Sequence, residues 1–169
     1  MPEGAVPATD GYETGLTRDD RLDLRSWLRL LTCTNMIEAE IRRRLREEFG
    51  ITLARFDLLA QLDRAGTGLT MGDLSRRMMV TNGNVTGLID RLVDEGLVTR
   101  TPDPDDRRVQ VIELTPSGRR SFERMSKAHA TWITELFAGI GREHLSTLYD
   151  ELAHLKSSVA DTAGTGDDT

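Results

Sequence analysis

The stretch from Thr70 to Gly118 restricts the possible folds more than any other part of the chain. Its apolar spacing changes from a helical to a strand period and back within fewer than fifty residues. Thr70, with Asp73 three residues on, is patterned as a capping box that opens a short helix carrying Leu74 and Met78. Thr81 is placed to cap a further helix whose Val85, Leu88, Ile89 and Leu92 share one face, and Gly96 follows where a left-handed residue is wanted. Residues 97–100 and 109–114 alternate as two strands around the polar run Pro102–Arg108, which predicts a hairpin with a long tip. Thr115 followed by Pro116 then starts another helix.

Longer helical patterns flank this core. From Asp20 to Phe49 the stripe Leu24, Trp27/Leu28, Leu31, Ile37, Ile41, Leu45 and Phe49 predicts one amphipathic helix stopped by Gly50. Thr52 caps a second helix through Phe56, Leu59 and Leu62, broken by Gly66 and Gly68. After Pro116, Phe122, Met125, His129, Trp132 and Leu136 form one stripe, and Leu145, Leu148, Leu152, Leu155 and Val159 form another. Stripes of this kind need a partner to cover them. The fold class expected is mainly α: a winged helix-turn-helix over 52–115, flanked by helices over 20–49 and 116–160 whose apolar stripes require burial, in a single domain spanning 19–160. The ends, 1–18 and 161–169, lack periodicity and are expected to be tails.

Charge and cysteine content narrow the function classes. The net charge of −6 is concentrated in the ends: residues 1–20 carry −4 and residues 161–169 carry −3, leaving the body at +1. A near-neutral body can still grip a polyanion through arginines gathered on one face. No apolar run approaches the roughly 20 residues needed to span a bilayer, and Met1–Gly15 lacks a signal-peptide pattern, so a cytoplasmic protein without membrane association is expected. Cys33 is alone and the histidines are scattered, so no zinc site or other cofactor is anticipated. No phosphate-binding glycine loop or His-Glu-x-x-His element is present, and His129, His144 and His154 are widely separated, which argues against an enzyme.

Two short helices, a tight turn and a hairpin with an arginine tip fit DNA recognition. The fourth helix leaves Thr81, Asn82, Asn84, Thr86 and Arg91 for its outer face, residue types able to hydrogen-bond base edges or phosphates. Gly83 and Gly87 fall on one side of that helix, where they permit either close approach to a DNA backbone or tight packing against the third helix. Arg107 and Arg108 stand at the hairpin tip among Asp103, Asp105 and Asp106, and Arg76 and Arg77 are further candidates for phosphate contacts.

The runs Val80–Thr86, Asp90–Leu92, Glu95–Arg100, Asp103–Arg108 and Leu114–Gly118 together resemble the MarR family of transcription regulators, and the flanking helices correspond in order and length. The resemblance implies a homodimer whose dimerisation helices are those over 20–49 and 116–160, which reads a palindromic double-stranded operator and is released by a small aromatic or phenolic acid or its coenzyme A thioester. It also implies that Asp106 braces the wing while Arg108 enters the minor groove. A slot for the effector would draw on Trp27, Arg29, Met36, Phe56, Met79, His129 and Trp132. Arg42–Arg44 is either a clamp for a larger anion or a solvated helix face. Cys33 raises a thiol- or peroxide-sensing alternative, but falls later than the reactive cysteine of such relatives and is expected to be a buried structural thiol. A winged helix used only for protein contacts is the remaining alternative.

Overall fold

The computed structural model describes residues 22–78 and 85–164. The described residues fall into two compact units that divide between His129 and Ala130. The first unit begins with α1 (Leu22–Phe49) and α2 (Leu53–Ala65), followed by the short strand β1 (Leu69–Thr70) and α3 (Met71–Arg77). It continues through α4 (Val85–Asp94), β2 (Val98–Pro102) and β3 (Gln110–Leu114) into α5 (Pro116–Leu136). The second unit holds the end of α5 and α6 (Arg142–Gly164). α6 runs past residue 160, so the first residues of the expected C-terminal tail are helical.

Helix starts follow the caps seen in the sequence. Thr52 is extended (φ −85°, ψ 155°) and its hydroxyl accepts the Arg55 N–H at 3.4 Å. Thr70 accepts the Asp73 N–H at 3.1 Å and donates its own hydroxyl to the Asp73 carboxylate at 2.7 Å. That hydroxyl, aided by Arg76, holds the Asp73 carboxyl below its ordinary range. The cap expected at Thr81 lies outside the described residues.

Leu58, Leu59, Leu74, Ile89, Leu92 and Ile112 are fully buried, and Val85 and Leu88 complete the inward face of α4. This core packs α2, α3 and α4 on one another and against the sheet. The sheet has the order β1-β3-β2 and is antiparallel throughout, with Leu69 opposite Ile112 and Arg100 also opposite Ile112 across β3. β1 was not foreseen, because two residues are too few to show an alternation. Along β2 only Val98 is buried, so the hairpin leaves the core after one residue. Pro102 ends this edge strand, a position where its missing N–H costs no ladder bond.

The base of the hairpin is tied to α5. The Thr115 N–H donates to the Leu97 carbonyl at 3.1 Å, the Thr115 hydroxyl donates to the Gly96 carbonyl at 2.7 Å, and the Gly118 N–H donates to that hydroxyl at 2.9 Å. Gly96 has φ 69°, the left-handed conformation its position required. A Cβ on Gly118 would stand 1.9 Å from the Leu97 carbonyl oxygen, a backbone atom that has nowhere to go. Gly118→Ala is therefore expected to destabilise the fold by about 1–3 kcal/mol or more, as overpacking does. Urea unfolding measures this, and a wild-type midpoint would show that the helix start can shift.

Candidate nucleic-acid interface

α4 carries an apolar inner face and a polar outer one. Val85, Leu88, Ile89 and Leu92 are buried, whereas Thr86, Gly87, Asp90 and Arg91 are exposed. Of the candidate reading residues, Thr86 and Arg91 therefore face outward as expected. Thr81, Asn82 and Asn84, with Gly83, lie outside the described residues. Gly87 decides one of the open alternatives: a Cβ there would meet nothing within 4 Å, so the glycine is not demanded by packing against α3. Its surface is simply open.

Asp90, on the outer side of α4, accepts from the Arg100 guanidinium of β2 at 2.6 Å. This clasp links the helix to the wing strand and was not anticipated from the sequence, because nothing in the spacing of 90 and 100 signals contact across two elements.

The wing tip is built by its own aspartates. The Asp103 carboxylate accepts the N–H groups of Asp105 at 2.8 Å and Asp106 at 3.2 Å, turning the chain. The Asp106 carboxylate accepts the Arg108 backbone N–H at 3.0 Å and its guanidinium twice, at 3.0 and 3.1 Å. The Arg108 side chain hydrogen bond is the main reason the Asp106 carboxyl is held below its ordinary range, and the same contact raises Arg108. Two of the three acids among which Arg107 and Arg108 stand are thus occupied in shaping the tip. The Arg108 side chain stays 90% exposed, and Arg107 is exposed too.

Arg76 is exposed and paired with Asp73 one turn earlier in α3, and Arg77 is exposed beside it. On α1, Arg42 pairs with Glu38, Arg43 with Glu40 and Glu47, and Arg44 with Glu40. Hydrogen bonds from Arg43 and then Arg44 bring the Glu40 carboxyl down to about 2. The triple arginine is therefore a helix face neutralised by its own carboxylates.

The residues proposed for an effector slot are only partly brought together. The His129 ring lies 5.1 Å from that of Phe56, and Phe122 lies 5.6 Å from Phe56 on centroids. Trp27, Arg29 and Met36 are exposed along α1. Trp132 is buried but belongs to the second unit, and Met79 lies outside the described residues. Cys33 corrects an expectation: it is exposed, not buried. Only Ile41 and Leu45 of α1 are buried; in its earlier turns Leu28, Leu31 and Ile37 are half-buried and Leu24, Trp27 and Met36 are exposed.

Comparison with known proteins gives this architecture a family. The model for the MarR family matches residues 49–109. A crystal structure of a MarR family transcriptional regulator from Silicibacter pomeroyi superposes with a TM-score of 0.72 at 31% identity, covering 85% of this chain and 99% of that one. The chain belongs to the MarR family. The transcriptional activatory protein BadR of Rhodopseudomonas palustris is 35% identical over 113 residues, 64% of each protein. YdgJ of Bacillus subtilis, an HTH-type transcriptional regulator, is 28% identical, so the chain spans about two thirds of these two relatives, 64% and 66% of their lengths. A mutant of MarR from E. coli complexed with operator DNA superposes with a TM-score of 0.67 at 25% identity, covering 79% of this chain and 95% of that one. These relatives are transcriptional regulators, as a chain without enzyme motifs led us to expect. No described helix is long and apolar enough to cross a membrane.

Burial lowers His129 from the ordinary value of 6.5, so the imidazole is neutral at pH 7. The unfolded chain takes up this proton first. Stability from His129 is therefore present above about pH 6.5 and is lost as the pH falls below it. The melting temperature of wild type is expected to drop more between pH 7 and pH 5 than that of His129→Phe; parallel profiles would show that the imidazole is not desolvated.

Proposed function

We propose that the chain is a cytoplasmic, sequence-specific DNA-binding regulator that acts as a homodimeric repressor on a palindromic operator. The observation that carries this reading is the pairing of an outward polar face on α4 with a self-braced, arginine-bearing wing tied to it by Asp90 and Arg100. In the proposed complex α4 lies in the major groove, where Thr86, Arg91 and the preceding Thr81, Asn82 and Asn84 meet base edges and phosphates. Arg108 and Arg107 reach the minor groove, whose negative potential favours guanidinium. Arg76 touches the flanking phosphates. The operator complex of the E. coli relative supports DNA as the partner.

Dimerisation is supported by apolar side chains that the single chain leaves uncovered, among them Leu148, Leu152 and Leu155 of α6 and Trp27 of α1. A two-fold dimer would present its two recognition helices to half-sites about one helical turn apart.

Release by a small aromatic or phenolic acid is the regulatory half of the proposal. Phe56 and His129 offer a ring surface and a neutral imidazole able to donate to a carboxylate, and Trp27, Arg29, Met36, Met79 and Trp132 are the further candidates. The internal pairing of Arg42–Arg44 favours the free acid over its bulkier thioester. The exposure of Cys33 supports a second reading, in which oxidation of this thiol is the signal. A Cys33→Ser variant that still responds to peroxide excludes it. The name of BadR describes an activator, so reporter transcription with and without the regulator decides the sign of control.

Operator fragments selected from genomic DNA provide the test substrate. Binding is expected to weaken steeply with salt, and Arg108→Ala to cost about 1–3 kcal/mol in gel-shift titrations. Wild-type affinity in that variant would remove the wing from the interface, and absence of any selected site would favour a module for protein contacts. Gly87→Ala separates folding from recognition. With open space around it, alanine should stabilise α4 by up to about 1 kcal/mol, while operator affinity falls because the added methyl meets the DNA. Unchanged affinity would place that face away from the groove.

A further inference from the structure

A cleft in the first unit shares no residue with the Phe56–His129 pair. The end of α1, the start of α2, the turn from α4 to β2 and the opening turns of α5 enclose a cleft of about 490 Å³. That volume suits a small organic molecule. Its walls carry four charges, Glu48, Arg55, Glu95 and Arg124, with Ser121 between them. Ile51, Leu97 and Met125 supply the apolar part.

The four charges are not equivalent. Arg55 is only 9% exposed, the one buried charged residue among those described. Its Nη2 donates to the Glu95 carboxylate, while its Nε is buried without a hydrogen-bond partner. Leaving such a donor unmade costs about 1–3 kcal/mol, and the pairing of Arg55 with Glu95 removes both groups from the charges open to the cleft. Once Arg55 and Glu95 have paired, one cation and one anion remain. Arg124 and Glu48 are exposed, line the same cleft, and have side chains engaged in no hydrogen bond or ion pair among the described residues.

We propose that this cleft binds a small zwitterion: an amino-acid-like molecule whose carboxylate meets Arg124 and Ser121, whose ammonium meets Glu48, and whose apolar side chain lies on Leu97 and Met125. Charge complementarity selects this class. A simple carboxylate would gain Arg124 but face the uncompensated Glu48, and a simple amine would suffer the reverse. A zwitterion satisfies both ends. The site adjoins Glu95 and Leu97, the turn that leads from the recognition helix into the wing.

Equilibrium dialysis of the full chain against radiolabelled L-phenylalanine tests the proposal without DNA, so its failure leaves the DNA-binding reading untouched. The expected result is saturable retention, with 3-phenylpropanoate and phenethylamine each competing at least tenfold more weakly than unlabelled phenylalanine. Arg124→Gln and Glu48→Gln are each expected to weaken retention at least tenfold. Both side chains are exposed, and thermal melting by circular dichroism checks that the variants fold as wild type. No retention at millimolar phenylalanine, equal competition by either analogue, or wild-type retention in either variant overturns the assignment.

Discussion

The carbonyl of Leu97 is the point on which the junction of α4, the β2–β3 hairpin and α5 depends. It accepts from both the backbone N–H and the hydroxyl of Thr115, and Gly118 is kept free of a side chain so that α5 can start against it. One residue earlier the Gly96 N–H donates to Val93, and the Leu97 N–H donates to Leu92, at 2.9 Å each. The last turn of α4, the first residue of β2, the end of β3 and the first turn of α5 are therefore joined within a few bonds. Backbone bonds of this kind are worth only about 1 kcal/mol each. Together they tie the hairpin to α4, and Asp90 with Arg100 adds a side-chain tie further out. A groove-reading helix and a wing can act as one unit only if such a junction exists.

The electrostatic design of the surface follows from how little exposed ion pairs contribute. Arg108 with Asp106 and Arg76 with Asp73 are solvent-facing pairs, screened by water and of little consequence for stability. Such pairs position a guanidinium without committing it. A phosphate or a groove edge, with more negative potential than a single carboxylate, can take over the arginine at small cost, while the backbone bond from Arg108 to Asp106 keeps the loop shaped. This resolves the apparent conflict between a chain of net charge −6 and a polyanionic partner. Asp103 and Asp106 spend their oxygens on the loop's own N–H groups, so they form part of the wing's framework more than of its field.

Features governed by local chemistry were legible in the sequence. Thr52, Thr70 and Thr115 cap as their neighbours require, Gly96 takes the left-handed turn, and the inward stripe of α4 is buried residue for residue. What failed depended on distance along the chain or on something outside it. β1 was missed because a two-residue strand exists only through its pairing with β3. The Asp90–Arg100 tie and the Arg55–Glu95 pair join elements whose separation carries no periodic signal. Cys33 was expected to be a buried structural thiol because it falls later than the reactive cysteine of sensing relatives, yet it is exposed; the apolar stripe of its helix states only that a face needs cover, not that the same chain supplies it.

That distinction explains where the core stops. Among the described residues, every buried apolar residue lies between Ile41 and Trp132, whereas the regular apolar spacing continues through α6 with Leu148, Leu152, Leu155 and Val159 left exposed. Large apolar side chains repeating over several helical turns are costly to leave in water, at about 25 cal/mol for each Å² uncovered. α6 is also too long to be a mere terminus, with 23 residues and no break. A helix of this kind becomes stable through the surface that receives it. In the proposed dimer an identical chain provides that surface, which links the folding of the helical ends to the spacing of the recognition helices. Any signal that changes how the ends pair then changes the separation of the two DNA-reading units, even if neither unit alters internally.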